Sequence, residues 1–516
     1  MVAYRRAISA DLRQTRAVSE TPPSAGEQSN SAQPSLNGST AVFLVAATSG
    51  LVLVLEIIAG RLLAPYIGVS LDTFTGIIGT ILAGIAVGAA VGGSLADKHD
   101  PLKLIAQSLF FGGALTWLSI PIATALGPNL GGGPLAIVTL TAFSFLLPTA
   151  VLSGIGPMVT KLSLGSVDET GAVVGKLSAA GTIGALAGTF GTGFILIALL
   201  PVRTIIVAVG ALLVLAGIAV FILGKRGRPD LTEIAVVVFA ALAAVTISGP
   251  CDQTTDYYCV RILADDPADP TFREAGVSLW LDGLRHAHVD LDDPTFLDIR
   301  YMRLFADAVE ATPEGEPLRV LHVGGGGFSL PRYINAVRPG STNVVLELDD
   351  ALVDIARTDL GLTDADDLDI RTGDARLHLA DLETDSFDLI VGDAYGGSAV
   401  PWHLTTTEVM GEFERLLADD GLYIMNVIDG NESRFARSQL LTISDHFQNL
   451  AVIEPADGIP SFQVNQIFVT SNVDLPELDV DPEDGRLFTG SEVDDYIGDD
   501  VEILTDNFAP TDQLLA

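Results

Sequence analysis

Lysine vanishes from this chain after Lys225, and cysteine is scarce throughout. Only Cys251 and Cys259 occur among 516 residues, which excludes a small scaffold stapled by many disulfides. Those two cysteines and seven histidines show no metal-ligand spacing, so no metal is expected. The first half lacks charge: residues 1–250 carry 11 acids and 13 bases. Residues 251–516 carry 54 acids against 15 bases, every one an arginine. A net charge of −37 therefore coexists with a mean hydropathy of +0.43, because two segments of opposite solvent preference are joined end to end.

Block acidity often marks disorder. Here the acids are interleaved with apolar strand and helix patterns, so a folded surface suited to high salt is expected, as in a haloarchaeal source. Nucleic acid is not an expected partner. The acidity does not identify a ligand.

Residues 1–40 are polar and read as a disordered cytoplasmic tail bearing Arg5, Arg6, Arg13 and Arg16, with no signal-peptide pattern. A transmembrane domain is expected over 41–250, a β-rich lead-in over 251–300, and an α/β domain over 301–516. Seven apolar stretches (41–63, 73–96, 102–126, 134–160, 177–199, 202–224 and 231–249) approach the roughly 20 residues a bilayer demands, the seventh being the shortest. Small residues recur in the second stretch (Gly76, Thr80, Gly84, Gly88, Gly92) and the fifth (Gly181, Gly184, Gly188, Gly191), the pattern that lets helices pack closely in lipid. Glu56 lies inside the first, a turn before Arg61; it is either functional or a structural partner of that arginine. Lys98, Lys103, Lys161, Lys176, Lys225, Arg226 and Arg228 fall on the N-terminal side, whereas Arg61 and Arg203 fall on the other. Seven spans would then put the C-terminal half outside the cytoplasm. Cys251 and Cys259, close together after the last span, read as a disulfide compatible with that side.

In the second half, strand and helix patterns alternate as in a doubly wound parallel sheet. The strand 318–323 runs into Gly324, Gly325, Gly326 and Gly327, a turn where backbone can approach a ligand. Glu347 ends the next strand, at the distance where an acid accepts from a ribose diol. Asp374 follows a third strand and Asp393 a fourth.

In this order, "GGGGF", Glu347, "GDA" and "GDAYGG" resemble the class I methyltransferase fold, and within it the polyamine aminopropyltransferases, or spermidine synthases. "LWLDGLRHAHVDLDDPTF" and "LLADDGLYIMNV" resemble further stretches of that family, especially members fused to a multi-span membrane segment. The resemblance implies decarboxylated S-adenosylmethionine, or S-adenosylmethionine itself, as cofactor. It implies Glu347 on the ribose, Asp374 and Ala375 on the adenine edge, and Asp393 as the catalytic carboxylate toward an amine or polyamine. The chain departs from the pattern at Gly327 and Gly396, where the family carries amine-gripping aspartates, and at Phe296, where it carries tyrosine. Tyr395, Trp402 and His403 are candidates for a different acceptor pocket. A methyltransferase, or a non-catalytic transporter or sensor binding an adenosyl or polyamine ligand, remains open, as does a homodimer.

Overall fold

The computed structural model describes residues 37–515 other than 131–132, 165–169, 225–228, 248, 269–271, 313–314, 395–399, 431 and 457–463. Among them, six helices are long and apolar enough to cross a membrane. They are α1 (Gly38–Ile67), α2 (Leu71–Lys98), α3 (Pro101–Leu130), α4 (Pro134–Ser163), α5 (Thr170–Leu199) and α6 (Val202–Leu223). The seventh expected stretch is a shorter apolar helix, α7 (Leu231–Thr246). Its 16 residues extend about 24 Å at the usual helical rise. Asp230 and Glu233 form a capping box at its start, and Glu233 also accepts from Gln107 of α3 at 3.1 Å. At its far end Arg203, from the start of α6, donates to the carbonyls of Ala244 and Val245, each at 2.8 Å. α7 therefore runs alongside α3 and returns the chain to the end of the bundle where α1 finishes.

The small-residue stripes are where main chains meet. A Cβ on Gly88 of α2 would lie 2.0 Å from the Ala150 carbonyl oxygen of α4, and one on Gly184 of α5 would lie 1.9 Å from that of Ala46 in α1. Gly191, expected in the same stripe, has no such neighbour within 4 Å. Glu56 is half-buried and makes no ion pair with Arg61. Arg61 instead donates to the main-chain oxygen of Thr255, so it ties the bundle to the soluble half.

The soluble half begins with an antiparallel four-stranded sheet: β1 (Gln253–Thr254), β2 (Cys259–Ala264), β3 (Gly276–Leu281) and β4 (Leu284–Asp290). The main sheet follows, with β5 (Arg319–Val323), β6 (Thr342–Glu347), β7 (Leu368–Thr372), β8 (Phe387–Gly392), β9 (Leu417–Asp429), β10 (Asn449–Glu454), β11 (Val464–Ser471) and β12 (Arg486–Thr489). Its order is β12-β10-β11-β9-β8-β5-β6-β7. Strands β5 to β9 pair in parallel, but β11 is antiparallel to β9 and to β10, and β12 to β10. The sheet is thus mixed rather than wholly parallel. Only residues 455–463 separate β10 from β11, too few for the crossover that a parallel return requires.

Alternation along β5, β8 and β9 gives the sheet apolar side chains on both faces. Val320, Leu389, Val391 and Ile424 face α8 (Arg300–Glu310), whereas Leu321, Ile390 and Tyr423 face α12 (Thr407–Leu416) and α13 (Arg434–Ser444). Between these lie α9 (Ser329–Val337), α10 (Asp350–Asp359) and α11 (Ala375–Leu379), which follow β5, β6 and β7.

The glycine contacts make a direct prediction. Gly88→Leu and Gly184→Leu should each destabilise the bundle by at least about 1–3 kcal/mol through overpacking. Gly79→Leu, which meets nothing within 4 Å, should be tolerated. Thermal unfolding of the detergent-solubilised variants checks this; equal losses for all three would refute the packing assignment.

A candidate active site at the strand ends

The carboxyl ends of β5, β6, β7 and β8 share one edge of the sheet. β6 and β7 lie on one side of β5 and β8 on the other, so the chain order reverses between β5 and β8, where open α/β sheets place ligands. At that point the main chains nearly touch. Gly324 has φ +105°, and a Cβ there would lie 2.2 Å from the Asp393 carbonyl oxygen. The Asp393 N–H donates to Val323 at 2.9 Å. Only glycine at 324 lets the two strand ends close up.

A cavity of about 390 Å³ lies over this edge. Gly324, Gly326, Glu347, Asp374, Ala375, Asp393 and His403, all singled out from the sequence, line it. Glu347 is buried; one oxygen accepts from the N–H groups of Gly325 (2.9 Å) and Gly326 (3.1 Å), the other from Asp349 (3.0 Å). Burial raises its pKa, and those backbone bonds oppose the rise. Asp374 caps α11 through Arg376 N–H at 2.9 Å, and its other oxygen lies 3.2 Å from Nε2 of His403. It is therefore a helix cap and a wall of the cavity at once.

Asp393 is held by two donors. Asn426 Nδ2 lies 2.8 Å from Oδ1, and Tyr301 Oη lies 3.2 Å from Oδ2. The Asn426 amide is itself oriented by Asn465, which donates to its oxygen at 2.9 Å. Burial pushes the Asp393 carboxyl up to about 6 against both hydrogen bonds. The result is a carboxyl that changes charge near neutral pH.

The remaining expectations divide. Tyr395 and Gly396 lie outside the described residues. Trp402 is exposed, with its ring against His403, and does not line the cavity. Gly327 is pressed on by β4: a Cβ there would meet Ala287 at 2.5 Å. A side chain at 327, such as the aspartate of the resembled family, would force β4 away. Phe296 packs against His288 and under Arg273 rather than over the cavity.

Several wall residues had no signal in the sequence pattern. Cys251 and Cys259 form a disulfide, and the loop it closes carries Tyr257 and Tyr258 into the cavity. Thr255 shapes this loop by accepting from the N–H groups of Tyr257 (3.1 Å) and Tyr258 (2.9 Å). Asp282, at φ +53°, accepts from Cys259 N–H at 3.0 Å. The Tyr258 pKa is raised by burial and by nearby acids, with Glu347 first among them. His286 also lines the cavity, and burial pushes its pKa down to about 4, leaving a neutral imidazole at neutral pH. Val69, from the link between α1 and α2, completes the wall. Among the described residues no cluster suits a metal ion.

No family model matches the chain. It is 30% identical over 128 residues to a polyamine aminopropyltransferase of Vibrio vulnificus, covering 24% of this chain and 42% of that protein. It is 31% identical over 122 residues to an eEF1A lysine and N-terminal methyltransferase of Danio rerio, covering 22% of this chain and 18% of that one. The chain thus spans less than half the length of either of these curated relatives. A crystal structure of a probable spermidine synthase from Corynebacterium glutamicum aligns with a TM-score of 0.46 at 25% identity, covering 50% of this chain and 96% of that one. The chain therefore carries a Rossmann-like domain with distant, partial similarity to aminopropyltransferases and methyltransferases, behind a bundle of long apolar helices.

Proposed function

We propose that the cavity binds decarboxylated S-adenosylmethionine and that the enzyme transfers its aminopropyl group to an amine. The observation that carries this reading is Asp393: a carboxyl at the switch point, fixed by Tyr301 and Asn426, that ionises near neutral pH. Glu347 would take the ribose hydroxyls, and Asp374 with Ala375 the adenine edge. In the reaction the amine lone pair bonds to the methylene carbon beside the sulfonium. The carbon–sulfur electron pair goes to sulfur, methylthioadenosine leaves, and the amine proton passes to Asp393.

Methyl transfer from S-adenosylmethionine is the second reading. Gly327 favours it, because its contact with Ala287 leaves no room for a carboxylate that would hold the donor's aminopropyl ammonium.

We further propose that the soluble half faces the exterior. It meets the bundle where α1 ends, opposite the helix ends that carry Lys98, Lys103 and Lys161. The surplus of acid we read as an adaptation to salty surroundings.

Four outcomes are expected. Asp393→Asn should lower transfer by roughly 10²-fold or more without loss of methylthioadenosine binding. Asp393 has a folded pKa of about 6 against an ordinary 3.8. The stability this brings is therefore full below the ordinary value and lost as pH rises through 6. The uncharged variant should accordingly be more stable than wild type above that pH, by about 1–3 kcal/mol; denaturant titrations at several pH values would show it, and unimpaired turnover would remove Asp393 from the mechanism. Glu347→Ala should weaken methylthioadenosine binding by about 1.5–3 kcal/mol, and unchanged affinity by calorimetry would exclude an adenosyl site. Membrane-impermeant thiol reagents should label Cys251 and Cys259 on intact cells only after external reduction. Labelling that requires lysis would instead place the domain in the cytoplasm.

A further inference from the structure

We infer that the acceptor is a primary amine anchored in the membrane by an apolar chain, rather than a free diamine or polyamine. This rests on the amine-transfer reading above and names the substrate class of the same site.

Helix length sets the level of the cavity. The 30 residues of α1 extend about 45 Å, enough to cross the hydrocarbon core and both headgroup layers. The link at 68–70 between α1 and α2 therefore stands in the headgroup layer, and its Val69 forms part of the cavity wall. The soluble half is held down on this level at three points. Arg61 donates to Thr255, Gly283 sits so close that a Cβ would be 3.0 Å from the Pro65 oxygen, and Asp512 accepts from the Leu71 N–H at 2.9 Å. The site is thus fixed against the bilayer surface.

The cavity's charges select for one amine. Among its described lining residues there are four carboxylates. Glu347 is engaged by the glycine turn, Asp282 by Cys259 N–H, and Asp374 by the start of α11 and His403. Those three hold backbone N–H groups, whereas Asp393 is fixed by the side chains of Asn426 and Tyr301 and is the carboxylate assigned to the amine; the space beside Gly327 is filled by Ala287. Among the described lining residues, the second ammonium of a diamine would meet only carboxylates already committed to backbone N–H groups, and burying it there is costly. An amine with an apolar body finds Val69, Leu281, Leu348 and Val400 instead. The nitrogen of such an amphiphile attacks the donor's methylene carbon as described, methylthioadenosine leaves, Asp393 takes the proton, and the product stays in the membrane as a secondary amine.

The test uses the full chain in phosphatidylcholine liposomes, with labelled decarboxylated S-adenosylmethionine or methyl-labelled S-adenosylmethionine as donor. Oleylamine in the bilayer is compared with putrescine in solution. Label should enter the lipid extract, with kcat/KM for oleylamine above that for putrescine by roughly tenfold or more, the discrimination that apolar contacts supply. Val69→Asp should lower the value for oleylamine more than that for putrescine. Equal or faster transfer to putrescine would overturn the inference and leave aminopropyl transfer standing. Label passing to oleylamine only from S-adenosylmethionine would uphold the acceptor class and refute the proposed donor. No transfer to either amine would overturn the inference, and methylthioadenosine binding would then show whether the adenosyl site falls with it.

Discussion

The contact between Gly324 and the Asp393 main chain is the constraint on which the rest of the site depends. Two parallel strands end side by side, and the absence of one Cβ lets their ends meet. This contact brings the glycine turn, which holds Glu347, within reach of the carboxyl that follows β8. Any side chain at 324 would split the cavity floor between the Glu347 side and the Asp393 side.

A second layer of organisation comes from groups that act on the site through others. Asn465 orients Asn426, which with Tyr301 orients Asp393. Arg61 holds Thr255, which shapes the loop closed by Cys251 and Cys259 and so turns Tyr257 and Tyr258 into the cavity. Through this second chain of contacts, the end of a membrane helix helps to form the wall of a soluble-type site. A buried carboxyl costs stability when charged, and the hydrogen bonds from Tyr301 and Asn426 offset part of that cost at Asp393.

The membrane bundle and the soluble half follow different physics with one common device. In the bundle, Gly88 and Gly184 let helices gain dispersion contacts that water does not drive. In the sheet, alternating apolar residues pack against helices on both faces, and Gly324 lets two strand ends close up. The short helix α7 connects the two regimes, since it brings the chain back to the face on which the soluble half rests.

Much of this was legible in the sequence, because periodicity and strand-end position are local properties. Apolar runs marked the membrane helices, and alternating strand and helix patterns marked the Rossmann-like half. The position of each acid after an apolar strand brought Glu347, Asp374 and Asp393 to one edge. The antiparallel turn of β10 to β12 was not legible, because pairing direction depends on connection length and on which edge is free. Nor were Tyr301, Asn426, His286 and Val69, each of which reaches the site from a distant element. The sequence by itself determined which segments form long apolar helices, which form the α/β half and which acids end its strands. Tertiary structure alone decided what surrounds those acids, because burial and hydrogen-bond partners arise only when distant segments meet.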